Sequence, residues 1–272
     1  MCHIIPTFAP VKSLQQIISP IAAELAQFEN FFEKALQADT EPMNGIMQYV
    51  CDSQGKHLRP ILVLLSAKLL GEVNEKVLRA ATFVEMVHSA TLIHDDVVDD
   101  ADIRRNKASV KARFGNLSAV LAGDYLLAKA MLLVANDADI LNEMLRTTAA
   151  MSEGELMQSL VADCVSQSEK TTQYLEIITR KTAMLMRSCC VAGALSVDAS
   201  PQQVQQMADF GLNFGILFQL RDDILDGEHV ELAKSLLPEY LDKTLAALQA
   251  FPISVMKNAL QELTMFCVER QG

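Results

Sequence analysis

The sequence predicts an all-α chain: a single large helical bundle around a deep central cavity. Three observations carry that reading. Half of the 272 residues are hydrophobic, enough to enclose a sizeable core in one domain spanning residues 1–272. Glycine and proline are scarce, at 11 and 8 residues, which favours long helices over many short strands. Apolar positions recur at helical spacing, with no sustained strand-like alternation, internal repeat or low-complexity tract.

The elements follow in order. Leu14, Ile17, Ile18, Ile21, Leu25 and Phe28 predict one or two amphipathic helices over 11–39, with a break near Pro20. Pro60 suits the first turn of an apolar helix that reaches Leu70 and closes at Gly71. Residues 75–100 predict a long helix, apolar at first and crowded with aspartates at its end. Further helices are expected over 116–135, 140–165, 171–197 and 201–225, then a last pair separated near Pro252. Many of these are apolar over much of their circumference, so they belong inside a bundle.

The formal net charge of −11 argues against nonspecific nucleic-acid binding, because no basic surface offsets phosphate repulsion. An anionic substrate would need a recruited cation, for which a divalent metal is the evident candidate. Cysteines stand at 2, 51, 164, 189, 190 and 267, none spaced as a zinc pair, and read as buried thiols in a reducing compartment. The first twenty residues show no basic start followed by an unbroken apolar run. No stretch reaches about 18 apolar residues without a charge. A cytoplasmic chain with no signal peptide and no membrane span is expected.

The sharpest motif is His94-Asp95-Asp96-Val97-Val98-Asp99-Asp100. On a helix Asp95 and Asp99 lie one turn apart on one face, with Asp96 beside them. Like charges at that spacing repel, and a hard cation such as Mg²⁺ relieves them while sharing its coordination with phosphate. The arrangement recurs in Gln219-Leu220-Arg221-Asp222-Asp223-Ile224-Leu225-Asp226, again after an apolar helix. Either cluster alone reads as a solvated helix end. Two matched copies suggest metals held around one diphosphate across a cavity. Basic residues fall where that picture needs them: Arg104 and Arg105 after the first cluster, and Lys56 and Arg59 beside Gly55. His88 stands two turns before Asp95. Lys181-Thr182 is a weak signal by itself.

The chain resembles the trans-polyprenyl diphosphate synthases of the long-chain type, such as the octaprenyl diphosphate synthases. The likeness rests on Gly55-Lys56-x-x-Arg59-Pro60, the stretch from His88 to Arg105, Gly123-Asp124-Tyr125-Leu126-Leu127, Glu153-Gly154-Glu155 with Gln158, Lys181-Thr182, and Phe218-Gln219 leading into the second motif. Val268-Glu269-Arg270 resembles the family's C-terminus. The resemblance implies an isoprenoid-synthase bundle and a Mg²⁺-dependent prenyltransferase joining isopentenyl diphosphate to an allylic diphosphate. It implies that Asp95 and Asp99 bind metal from one side and Asp222 from the other, with Asp96, Asp223 and Asp226 completing the shells. Arg104 and Lys181 would hold the allylic diphosphate, and Lys56, Arg59, His88 and Arg105 the isopentenyl diphosphate. Thr182 and Gln219 would line the place where allylic positive charge develops. A homodimer is implied too, with a product handed to membrane enzymes.

In this family bulky aromatics four and five positions before the first aspartate act as a floor for the growing chain. Here those positions hold Thr91 and Ala90, both small and only about 6 to 7.5 Å along the helix from Asp95. A product longer than farnesyl diphosphate is expected, as a quinone side-chain precursor, with Val87, Val84 and Phe83 as the next stops.

The chain departs from the family after Asp226, where a Gly-Lys-x-x-Gly-x-Asp segment and a later Gly-Lys-x-Thr-Leu-Pro are absent. Either the stretch is deleted, or it is omitted from the sequence near 226–230, and omission is the expectation. Two rival readings remain: a noncatalytic partner subunit of a heteromeric synthase, which would typically lose aspartates from one motif, and a terpene cyclase, which needs no isopentenyl site.

Overall fold

The computed structural model describes residues 12–53, 55–160 and 167–270, and these are overwhelmingly helical. Helix α1 (Leu14–Ile18) opens with a capping box in which Ser13 and Gln16 satisfy each other's backbone N–H groups. Pro20 sits in the 3-10 turn Ser19–Ile21, where its missing N–H is harmless, and α2 (Ala22–Leu36) follows with Phe28, Phe32 and Leu36 inward.

Four helices make the centre: α4 (Leu58–Leu70), α5 (Glu75–Val98), α10 (Met184–Ser196) and α11 (Pro201–Asp226). Every residue of α4 from Pro60 to Ala67 is buried, as a helix enclosed on all sides requires. Phe210 and Phe214 of α11 are fully buried and stack at 5.8 Å. Burying such a ring contributes about 1.5–3 kcal/mol. Helix α10 packs against α4, α5, α11 and α8 (Ala138–Ser159), and so ties both aspartate-bearing helices into one unit. Gly211 and Gly215 permit the close approach of α11 to α10, because a Cβ on either would overlap backbone atoms of Arg187 or Ala183.

The outer helices complete the layers. α7 (Asn116–Leu133) covers α5, α12 (Val230–Ala247) covers α11, and α13 (Val255–Glu269) lies over α4 and α11. A satellite cluster of Tyr174, Ile178, Ala183, Ile216, Leu220 and Ala233 joins α9 (Gln167–Ile178) to α11 and α12.

Several features differ from the sequence reading. Helices α3 (Glu41–Cys51) and α6 (Val110–Phe114) were not anticipated, nor was the hairpin of β1 (Ile103–Arg104) and β2 (Lys107–Ala108). Helix α8 ends at Ser159, and the expected end near Val165 lies outside the described residues. Helix α7 is long and apolar enough to cross a membrane by length and composition, but it carries Asp124 and Lys129, and one such helix is weak evidence of a span. Here it lays Ala119, Ala122, Gly123, Leu126 and Ala130 into the bundle. After Asp226 the chain turns into α12 through Gly227, Glu228 and His229, closed by the Glu228 N–H donating to Asp223 O at 2.8 Å. Cys189, Cys190 and Cys267 are free and buried, Cys51 is free and partly buried, and Cys2 and Cys164 lie outside the described residues.

Candidate active site

The first aspartate motif forms the last turn of α5. Asp96 points inward, 2% exposed, and accepts from Arg104 Nε at 2.6 Å. Asp95, on the adjoining face, is partly buried and Asp99 is exposed. Burial pushes the Asp95 carboxyl up to about 6, helped by Glu155 and Asp99 and opposed by Lys181 and Arg104. The motif is anchored by His94, whose Nε2 lies 3.2 Å from Val120 O on α7. Gly123 is what admits that ring, since a Cβ there would overlap it.

The second motif closes α11 in the same way. Asp223 is 5% exposed and has both oxygens engaged, Oδ1 by Gln219 Nε2 at 2.7 Å and Oδ2 by the Tyr174 hydroxyl. Burial, then the Asp223 hydrogen bond and charge, pushes the Tyr174 hydroxyl well up, so it stays a donor. Asp222 is paired with Arg270, whose guanidinium also lies 4.2 Å over the Phe218 ring. Burial raises the Asp222 pKa, with Arg270 opposing. Asp226 is exposed at the helix end.

Between the motifs, residues Thr179–Ala183 adopt a π-helical turn that joins α9 to α10. Such wide turns rotate side chains off the regular face and occur often at functional sites. This one presents Lys181 to Gln158 Oε1 at 2.9 Å and to Glu155 Oε2 at 2.7 Å. It also lets Thr182 Oγ1 donate to Gln219 Oε1 at 2.8 Å. A hydrogen-bonded chain therefore runs from Thr182 through Gln219 to Asp223.

The expected phosphate-binding cations gather beside it. Arg59 Nη1 lies 2.9 Å from His88 Nε2, and its Nε is shut off from solvent with no partner among the described residues. Burial and the charges of Arg59, Arg105 and Arg104 press the His88 pKa well below its ordinary value, so the ring is neutral and accepts from Arg59. Arg105 reaches back to Ser53 O at 3.2 Å and lies against Gly55, where a Cβ would collide with its guanidinium. Lys56 is exposed on the same loop. The hairpin turn Arg105-Asn106 has φ of 51 and 61°, the left-handed pair of a tight two-residue turn, and so sends Arg104 and Arg105 to different partners. A cavity of about 60 Å³ opens here, lined by Asp96, Arg104, Arg105, Ser89 and Tyr49 among others. Among the charges acting on Arg59, that of Asp222 in the second motif is the weakest named.

Against known proteins, the polyprenyl synthetase family model matches residues 40–236. The chain belongs to that family. Among polyprenyl synthetases it is 36% identical over 193 residues to the octaprenyl diphosphate synthase of Haemophilus influenzae, covering 70% of this chain and 58% of that protein. It is 33% identical over 225 residues to heptaprenyl diphosphate synthase component 2 of Geobacillus stearothermophilus, covering 81% and 70%. The match therefore spans less than two thirds of the Haemophilus protein. The structure superimposes on a polyprenyl synthase from Caulobacter crescentus CB15, complexed with calcium and isoprenyl diphosphate, with TM-score 0.86 and 27% identity over 97% of this chain and 100% of that one.

Sequence reasoning gave no role to His57, Glu85, Glu155, Tyr174 or Arg270, all of which contact the expected site residues or their neighbours. One signal was available for Glu85: it stands three residues before His88, on the same face of α5.

Proposed function

We propose that this polyprenyl synthetase lengthens an allylic diphosphate by trans addition of isopentenyl diphosphate, to a product beyond farnesyl diphosphate that serves as a quinone side chain. The observation that supports the reading is the pair of aspartate motifs ending α5 and α11, two helices that both pack against α10. All the candidate metal donors are carboxylate oxygens, the set a hard divalent cation takes, and repulsion around Asp95 favours such an ion. Asp95, Asp99, Asp222 and Asp226 would hold Mg²⁺ through their less committed oxygens, while Asp96 and Asp223 orient Arg104 and Gln219. When bound, Mg²⁺ neutralises charge developing on the departing diphosphate.

The chain's own residues supply the remaining chemistry. Lys181 and Arg104 leave Glu155 and Asp96 to grip the allylic diphosphate, and stabilise it as the allylic C–O bond breaks. Thr182 and Gln219 place their dipoles beside the resulting cation. Lys56, Arg59, His88 and Arg105 hold isopentenyl diphosphate so that its double bond attacks the cation. The proton then lost goes to the released diphosphate. Apolar walls on α4, α5 and α10 exclude the water that would quench the cation. No lysine stands between Asp226 and Lys234, so phosphate binding on the α11 side rests on Lys181.

The test is elongation of farnesyl diphosphate by labelled isopentenyl diphosphate, with chromatography of the products. Turnover with Mg²⁺ and its loss on chelation are expected; elongation that survives chelation sinks the metal assignment. A second reading is favoured by the name of the Geobacillus relative, component 2, which suggests one part of a heteromeric synthase. Elongation only after adding a second protein would select it. A cytoplasmic location and a homodimer complete the proposal.

A further inference from the structure

Beneath the proposed isopentenyl diphosphate pocket lies a carboxylate that the chemistry itself does not use. Glu85 is 2% exposed, and among the described residues its Oε2 has no hydrogen-bond partner. A buried carboxylate is costly unless opposite charge and hydrogen bonds compensate it. Its Oε1 lies 3.3 Å from His57 Nδ1. His57 holds a left-handed backbone, φ 50°, at the N-terminus of α4, with its ring edge-on to Phe28 and Phe32 at 5.4 and 6.2 Å. A residue other than glycine keeps that conformation only where its surroundings fix it. Two residues on, Arg59 leaves the first turn of α4 with its Nε enclosed and, among the described residues, unpartnered. Of the charges around Arg59, Glu85 most strongly offsets its desolvation.

From this geometry we infer that Glu85 is a positioning residue for the isopentenyl diphosphate grip: it clamps His57, and with it the turn from which Arg59 projects, and it supplies a counter-charge to the partly buried Arg59 before an anion arrives. The inference rests on the prenyl-transfer reading for the identity of the anion. It deepens that reading because it separates the two substrates. The allylic cations have their own acidic partners, Glu155 for Lys181 and Asp96 for Arg104, and Glu85 touches neither pair. A residue that merely supported the bundle would disturb both substrates alike.

Calorimetric titration with isopentenyl diphosphate, and separately with farnesyl diphosphate, tests the distinction on wild type, Glu85→Gln, Arg59→Ala and the double variant. Glu85→Gln is expected to weaken isopentenyl diphosphate binding about tenfold and farnesyl diphosphate binding by less than about twofold. In the Arg59→Ala background it should add no further loss, because its effect runs through Arg59. Equal weakening of both ligands, or a full additional loss in the double variant, overturns the inference. Should Glu85→Gln not fold, His57→Asn serves instead: Asn tolerates the left-handed backbone but does not reach Glu85, and the same selective loss is expected. Unchanged isopentenyl diphosphate binding in that variant equally overturns it. A wild type that binds isopentenyl diphosphate but elongates nothing would sink the prenyl-transfer reading and leave the positioning result standing.

Discussion

Asp95 and Asp96 are neighbours with opposite tasks, and the difference is one of environment. Asp96 is enclosed and satisfied by Arg104, whereas Asp95 faces Glu155 and Lys181 and carries a pKa of about 6. A carboxyl raised from 3.8 to about 6 contributes stability below its unfolded value and loses it as pH climbs through its folded one. In metal-free protein, Asp95→Asn is therefore expected to match wild type below about pH 4 and to become the more stable chain above about pH 6. Discounted for the partial exposure of Asp95, the gain in Tm is about 2 °C. Differential scanning calorimetry across that range checks it, and a variant less stable at pH 7 would show that Asp95 is already compensated. The same variant should lose elongation. The helical spacing of the motif placed Asp96 beside the Asp95–Asp99 face, but it could not tell which carboxylate meets an arginine, because Arg104 arrives through a hairpin with its own geometry.

At the scale of elements, the long helices were legible because periodic apolar positions over many turns leave little choice. The short ones were not. Helix α3 is short and contains Gly45, which weakens a helical pattern, and it is fixed by packing of Ile46, Met47 and Val50. The π-helical turn at Thr179–Ala183 has no composition signal at all; Gly154 lets α8 press against it, since a Cβ there would meet the backbone of Lys181. The candidate site was legible as a set of residues but not as a network, since the partners of Lys181, Arg104 and Asp223 come from other elements. Helix α5 also bears on product length. Ala90 is fully buried, so an aromatic there would overpack the core, whereas Thr91 is only partly buried and a larger side chain there strains the packing less. Thr91→Phe is thus the cleaner test of the floor. Its products should shorten by several isoprene units with the fold intact, and an unchanged product ladder would place the floor elsewhere.

The whole molecule presents a surface that its own bundle does not explain. Helix α7 exposes Leu117, Leu121 and Leu132, at 76, 51 and 74%. These lie within one stripe at helical spacing, on the side turned away from α5. Helix α8 exposes Leu145 and Leu156, and Leu160 just past its end is exposed too. Scattered exposed leucines need no explanation, but leucines lined up along one side of a helix make an apolar stripe suited to self-association. A twofold pairing of α7 with its copy would cover the α7 stripe and back the helix that carries His94. Leu121→Glu combined with Leu132→Glu is expected to convert a dimer to a monomer in light scattering, because a paired interface would then enclose uncompensated like charges. Elongation should fall with it, since α7 seats the ring of His94 at the first motif and α8 supplies the partners of Lys181. A wild type that already runs as a monomer, or a double variant that stays dimeric, would show that the α7 stripe serves another surface.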